Sequence, residues 1–276
     1  MIDIARFAQS ISGMSYSTVK KTKWITNRIF QDAVQNRLIT NNPCIGVRWE
    51  YGSKGTHRAL TASERKFIVD WHRVHRAGLW ALLMLFAGLR RGEALALLWE
   101  DIDFKEDVIH VTKAIHFEGN KGVLSTTKTE AGVRDVPLMP QLKACLLQYD
   151  RREGRVCRNS NGEPVNTQAA FKRGWEGWLA AMENIMNDEP PFQPGKRNDL
   201  RKNTDRKKFF VRTHDLRHTF CTMLYKAGVG LKEAQYIMGH ADSSMTLEVY
   251  TYLDEESKMS AAVKLKGYTD VFNDEV

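Results

Sequence analysis

The spacing of apolar positions changes its period twice along this chain. After Ser17, Val19, Ile25, Ile29, Ala33 and Val34 recur at helical intervals, with Lys20, Lys21, Lys23 and Arg28 on or beside the other face. This predicts helix through the first 40 residues, stopped at Asn41-Asn42-Pro43, where proline removes an amide donor. From Cys44 to Arg58, Gly46, Gly52 and Gly55 alternate with charges and aromatics, a composition that reads as a linker. Thr61-Ala-Ser-Glu64 then has the form of a capping box and predicts a helix to about His75. The unbroken apolar run Ala77 to Leu89 predicts a buried helix, and Gly92 to Leu98 a further short one. Between Asp107 and Leu138 the period becomes two or the residues turn β-branched. Val108–Lys113, Gly122–Lys128 and Val133–Pro137 predict a small antiparallel sheet, with Pro137 at a strand end where no ladder donor is needed.

From about Gln141 the helical period returns, interrupted by turns at 159–164 and 190–195. Leu216, Phe220, Met223, Leu224 and Ala227 form an apolar stripe on a helix that Thr213 would cap and Gly228 would end. The fold class is therefore α+β, mainly α. A partial helical domain over 1–43 and a linker over 44–58 precede a larger domain over 59–276 carrying the small sheet.

Composition adds one constraint. Lys and Arg number 41 against 33 Asp and Glu, a net charge of +8, which favours a polyanionic partner such as nucleic acid or an anionic membrane surface. The longest apolar run falls short of the roughly 20 residues that cross a bilayer, so no membrane span is expected. Met1-Ile-Asp-Ile-Ala-Arg6 lacks the basic-then-apolar order of a signal peptide. Cys44, Cys145, Cys157 and Cys221 are scattered with no C-x-x-C pair, and are expected to be reduced thiols in a cytoplasmic protein.

Five separated features carry candidate chemistry. Arg90 follows the apolar run in Gly88-Leu-Arg-Arg-Gly-Glu93, where Gly88 and Gly92 leave room for close backbone approach and Glu93 can hold the arginine. Lys128 lies in the predicted hairpin. His214, Arg217 and His218, at i, i+3 and i+4, share one face of a helix whose N-terminus adds unpaired amides and a positive dipole end, together a phosphate site. His240 follows Gly239, which ends a helix. Tyr250 lies ten positions further on. Taken singly, each is ordinary: a helix-terminal cation, a solvated lysine, surface histidines, a half-buried tyrosine.

Their order is not ordinary. Arg90, Lys128, His214-x-x-Arg217, Gly-His240 and Tyr250 together resemble the tyrosine recombinases, or phage integrases, over roughly Thr61 to Leu253. The resemblance implies a catalytic domain over 59–276 and, over 1–43, the C-terminal part of a helical core-binding domain shorter than the family's usual one. It implies metal-independent cleavage and rejoining of double-stranded DNA at att-like sites, serving integration or excision of a mobile element. Tyr250 would be the nucleophile, with Tyr252 a less favoured rival. Arg90 and Arg217 would grip the phosphate, His214 and His240 would hydrogen-bond to it, and Lys128 would protonate the departing 5′-oxygen. Glu93 and His218 would support them. Lys20, Lys21, Lys23, Arg28, Arg91, Lys196 and Arg197 are candidate DNA contacts. No cofactor is implied. The expected assembly is a homotetramer on DNA and a monomer free in solution, with an accessory DNA-bending or excision factor, in a nucleoid-associated setting. The amphipathic segment after Tyr250 would dock on a neighbouring protomer.

Three rivals fit less well. His214 and His218 form an H-x-x-x-H pair, but a zinc hydrolase needs glutamate where Asp215 stands, and Arg217 would repel the cation. A DNA-binding regulator that had lost cleavage would lack the nucleophile or an arginine. A type IB-like topoisomerase shares the chemistry, but chain length and the Gly-Leu-Arg-Arg-Gly-Glu text favour a recombinase.

Overall fold

The structure is a computed structural model and describes residues 3–53, 55, 58–126, 132–149, 153–191, 206–240, 246, 247 and 249–251. The chain divides into two compact units, Met1–His57 and Arg58–Val276.

In the first unit the expected single helical stretch is two helices. Asp3 caps α1 (Ile4–Ser10) by accepting from the Arg6 amide. Ser15 caps α2 (Tyr16–Gln35) by accepting from the Thr18 amide at 3.3 Å. Helix α2 stops at Gln35, well before Pro43, and Arg37 takes a positive φ of 57° just beyond. The Asn41-Asn42-Pro43 segment acts instead as a polar clip. Asn42 donates to Asn27 Oδ1 at 2.9 Å, and its own Oδ1 accepts from the Cys44 amide at 2.9 Å. Ile4, Ala8, Ile11, Val19 and Trp49 form the small core. Trp49 packs edge-on against Phe7, and Tyr51 lies tilted against Tyr16, so the glycine-containing stretch after Pro43 folds onto these helices.

The second unit opens with α3 (Ala62–Asp70), whose capping box forms as the sequence predicts. The Glu64 amide donates to Thr61 Oγ1 at 3.2 Å and the Thr61 amide to Glu64 Oε2 at 2.8 Å. The helix ends at Asp70 and a 3₁₀ turn, His72–Val74, follows. All ten residues of α4 (Ala77–Phe86) are buried, and this helix forms the centre of the core. Helix α5 (Arg91–Ala96) comes next.

The predicted single sheet is two. Strands β1 (Ile102–Asp103), β2 (Val108–Val111) and β5 (Arg134–Pro137) form one antiparallel sheet in the order β1-β2-β5, while β3 (Lys113–Glu118) and β4 (Lys121–Thr126) form a separate hairpin. The period-two reading missed β3 because its stretch, half-buried apart from buried Ile115 and exposed Glu118, has no clean in–out alternation. Pro137 ends β5, as expected. Helices α6 (Pro140–Leu146), α7 (Gln168–Met186), α8 (Thr213–Lys226) and α9 (Leu231–Met238) complete the described elements. The fold is α+β and mainly helical. In α8 the cap is Arg212 rather than Thr213, because Asp215 turns back to accept the Arg212 amide at 3.0 Å. The four cysteines are free thiols, three of them buried. Among the described residues no helix is long and apolar enough to cross a membrane.

Candidate active site

The site is assembled where α4 hands over to α5 and where α8 and α9 meet. Gly88 turns the chain after α4 with a φ of +60°, and a Cβ there would lie 2.3 Å from the Phe220 ring of α8. That close approach needs glycine on both counts. Two residues on, Arg90 is the N-cap of α5, not a C-terminal cation of α4. Its amide donates to Glu93 Oε2 at 2.8 Å and its Nη1 to Glu93 Oε1 at 2.8 Å, while Nη2 donates to the Gly239 carbonyl.

Arg217 rises from α8 into the same place. Its Nη1 donates to the Gly88 carbonyl and its Nη2 to the Met238 carbonyl, and Nη1 lies 3.9 Å from Glu93 Oε2. A third guanidinium, Arg134 of β5, closes the cluster. It donates to both Glu93 oxygens, at 3.2 and 2.9 Å, and through Nε to the Ile237 carbonyl at 2.7 Å. Three guanidiniums thus surround one carboxylate, leaving two positive charges uncompensated within the cluster.

The electrostatics follow from that count. Burial alone would push the Glu93 carboxyl up, but hydrogen bonds from Arg134 and the charges of Arg134, Arg217 and Arg90 hold it down at about 2. Arg217 falls to about 9, chiefly through burial and then through Arg90, so it stays charged at neutral pH. His240 follows Gly239, whose φ of +62° is the left-handed turn ending α9. Its Nδ1 is 2.7 Å from Thr246 Oγ1. Burial, reinforced by Arg217, Arg90 and Arg134, depresses its pKa to about 4, so its imidazole is neutral near pH 7.

Tyr250 occupies a different environment. It is buried among Phe220, Cys221, Ala234, Met238 and Val249, with Tyr225 edge-on at 5.0 Å between centroids. Its hydroxyl donates to the Val229 carbonyl at 3.0 Å, and burial raises its pKa to about 12.

Of the residues singled out from sequence, Arg90, Glu93, Arg217 and His240 converge. His214 stands exposed on the first turn of α8, and His218 is half-buried one turn later. Arg91 stacks over the Phe117 and Phe171 rings, 5.2 Å from each centroid. Lys20, Lys21, Lys23 and Arg28 are exposed on α2, where Arg28 pairs with Asp32 at 3.1 Å. Lys128, Lys196, Arg197, Tyr252 and the segment after it lie outside the described residues. Sequence reading missed Arg134. Its one signal was an arginine in phase with Val136, on the inward face of a predicted strand.

A mainly helical domain thus gathers widely separated arginines around a buried glutamate, with a histidine beside them. The family model described as "Phage integrase family" matches residues 192–257. The chain is 26% identical over 281 residues to "Tyrosine recombinase XerC-like" of Caldanaerobacter subterraneus subsp. tengcongensis, covering 96% of this chain and 70% of that protein. It is 24% identical over 272 residues to "Transposase from transposon Tn916" of Enterococcus faecalis, covering 93% of this chain but only 63% of the relative. Among solved structures, the Tn1549 transposon integrase in complex with transposon right end DNA matches with a TM-score of 0.70 at 22% identity, over 93% of this chain and 83% of that one.

Proposed function

We propose that the protein is a site-specific DNA recombinase that cuts and rejoins double-stranded DNA through a 3′-phosphotyrosyl bond at Tyr250, in the integration or excision of a mobile element. The observation that carries this reading is the convergence of Arg90 and Arg217 on Glu93 beside His240, from segments far apart in sequence. Similarity to a protein named as the transposase from transposon Tn916, and to the Tn1549 transposon integrase in complex with transposon right end DNA, supports it.

Displacement at a phosphodiester builds negative charge on the non-bridging oxygens, and pre-set cations are worth most where water is excluded. Arg217 is held rigid by two carbonyls, and Arg90, with its side chain 41% exposed, offers a guanidinium flank to an incoming phosphate. Guanidinium stays charged and can bind two oxygens at once. His240, being neutral, can donate one hydrogen bond from the imidazole nitrogen that keeps its proton. His214, exposed on the same α8 turn, is the second donor.

The Tyr250 oxygen forms a bond to phosphorus as the bond to the 5′-oxygen breaks. The phenolic proton passes to a base, and the 5′-oxygen leaves with a proton, which the family resemblance assigns to Lys128. The phosphotyrosyl ester conserves the bond, so a second 5′-hydroxyl reverses the step without ATP. The Tyr250 hydroxyl must first leave the Val229 carbonyl, since its single proton is committed there.

Under this reading residues 1–43 are the C-terminal part of a core-binding domain, with the basic face of α2 on DNA. The working assembly is a homotetramer on att-like sites, with an accessory bending or excision factor, on the nucleoid. A nicked suicide duplex carrying an att-like site tests the reading. Wild type is expected to give an SDS-resistant protein–DNA adduct that Tyr250→Phe abolishes. An adduct that survives that change and disappears in Tyr252→Phe moves the nucleophile, and no adduct from wild type refutes the mechanism.

A further inference from the structure

Arg134 is a charged residue on the inward face of a sheet. In β5, Arg134 and Val136 point inward and Asp135 and Pro137 outward, and Arg134 pairs in register with Val111 of β2. Its side chain has no exposed surface. A buried cation is tolerated only when its charge and its donors are satisfied, and here the partners are specific. Besides both oxygens of Glu93, it holds the Gly132 carbonyl at 3.1 Å and the Ile237 carbonyl at 2.7 Å.

The last of these belongs to a pattern. The carbonyls of Ile237, Met238 and Gly239, at the C-terminal end of α9, are taken by Arg134, Arg217 and Arg90 in turn. A helix end leaves such carbonyls without intrahelical partners and carries a partial negative charge. Three separate cations therefore cap one helix terminus, and the next residue is His240. Gly239 leaves room for this: a Cβ there would meet Arg134 Nη1 at 2.7 Å.

We infer that Arg134 is a positioning residue for strand cleavage, acting through Glu93 on Arg90 and through the Ile237 carbonyl on His240. It does not need to touch DNA. It ties the sheet to the α5 start and to the α9 end, so that both arginines and the histidine keep one fixed spacing. The charge of lysine would not reproduce this, because a single ammonium cannot hold two carboxylate oxygens in the plane of a guanidinium while also reaching a carbonyl. Catalytic groups displaced by about 1 Å lose on the order of 100-fold in rate.

The inference rests on the strand-cleavage reading above, and the test separates the two. Arg134→Gln and Arg134→Lys are made in the full chain. Duplex affinity, thermal melting and the single-turnover rate of adduct formation at saturating protein are measured on the nicked duplex. The expected result is unchanged affinity for both variants, with the adduct rate per folded molecule falling about 100-fold in Arg134→Gln and by a smaller factor in Arg134→Lys. Should the glutamine variant fail to fold, the lysine variant, which keeps the charge in the core, decides alone. A wild-type rate in Arg134→Lys, or a rate loss that only follows the folded fraction, overturns the inference and leaves the cleavage reading standing. If the wild type forms no adduct, both fall.

Discussion

Two regions built on the same pair of helices behave in opposite ways. On one side of α8 and α9, Arg90, Arg134 and Arg217 are locked to Glu93 and to three successive carbonyls, and the site is electropositive before any substrate arrives. On the other side Tyr250 lies in an apolar nest, its hydroxyl bonded to a backbone carbonyl and its pKa raised rather than lowered. Positive charge is preassembled, while the proposed nucleophile is held as the neutral phenol. The difference is physical: guanidiniums buried with a carboxylate must be held rigidly to be tolerated at all, whereas a phenol is content in an apolar pocket once its proton has an acceptor.

Removing the carboxylate should break the first region most severely. Glu93→Gln leaves three guanidiniums facing one another with no counter-charge. A loss of about 3–5 kcal/mol is expected from the unfolding midpoint in urea, as for other broken buried pairs. The adduct rate should fall with it. A variant as stable as wild type would show that the cluster does not depend on its acid.

Acidification should erode the same region by a smaller amount. The folded-state pKa of His240, about 4, lies below its ordinary value of 6.5, so its contribution is complete above pH 6.5 and is lost as pH falls towards 4. Glu93 acts in the same direction lower down, its contribution present above 4.5 and lost as pH falls through about 2. Melting curves taken from pH 7.5 to 4 should show a decline on the order of a few kcal/mol. His240→Gln should flatten that decline, and an unchanged slope would mean that His240 is not held neutral by burial and the neighbouring arginines.

The second region should respond least. Tyr225→Leu removes the edge-on ring against Tyr250 and should cost about 1 kcal/mol in stability. Because it loosens the packing of Tyr250 and leaves the arginines untouched, the adduct rate expected under the proposed mechanism should hold or rise. A rate that falls well beyond the stability loss would show that the nest orients Tyr250 for attack instead of storing it.

Much of the architecture was legible where the residue itself determines local geometry. The Thr61–Glu64 box, the fully apolar α4 and the Gly239 helix end all formed as the chain reads, because capping and burial are decided within a few residues. Boundaries were less legible. Helix α2 stops at Gln35 although the apolar period runs on to Val34 and the proline stands at 43, since Arg37 adopts a left-handed turn no local rule demands. Strand β3 was invisible because only one of its residues is buried. The run from Cys44 to Arg58 looked like a linker, yet Trp49 is buried against α1 and α2 partners hundreds of atoms away along the chain.

By itself the sequence determined which residue types are present, in which order, and on which helix or strand most of them lie: Arg90 after an apolar helix, Arg217 one turn into α8, His240 beyond a helix-ending glycine. Only the tertiary structure decided that a strand arginine, Arg134, joins them, that one carboxylate, Glu93, is shared by all three guanidiniums, and that the Tyr250 hydroxyl rests on Val229. Periodicity reports the face on which a side chain leaves its own element. Which charges meet across elements depends on long-range packing that brings residues 93, 134, 217 and 239 into contact, and no local pattern encodes those distances.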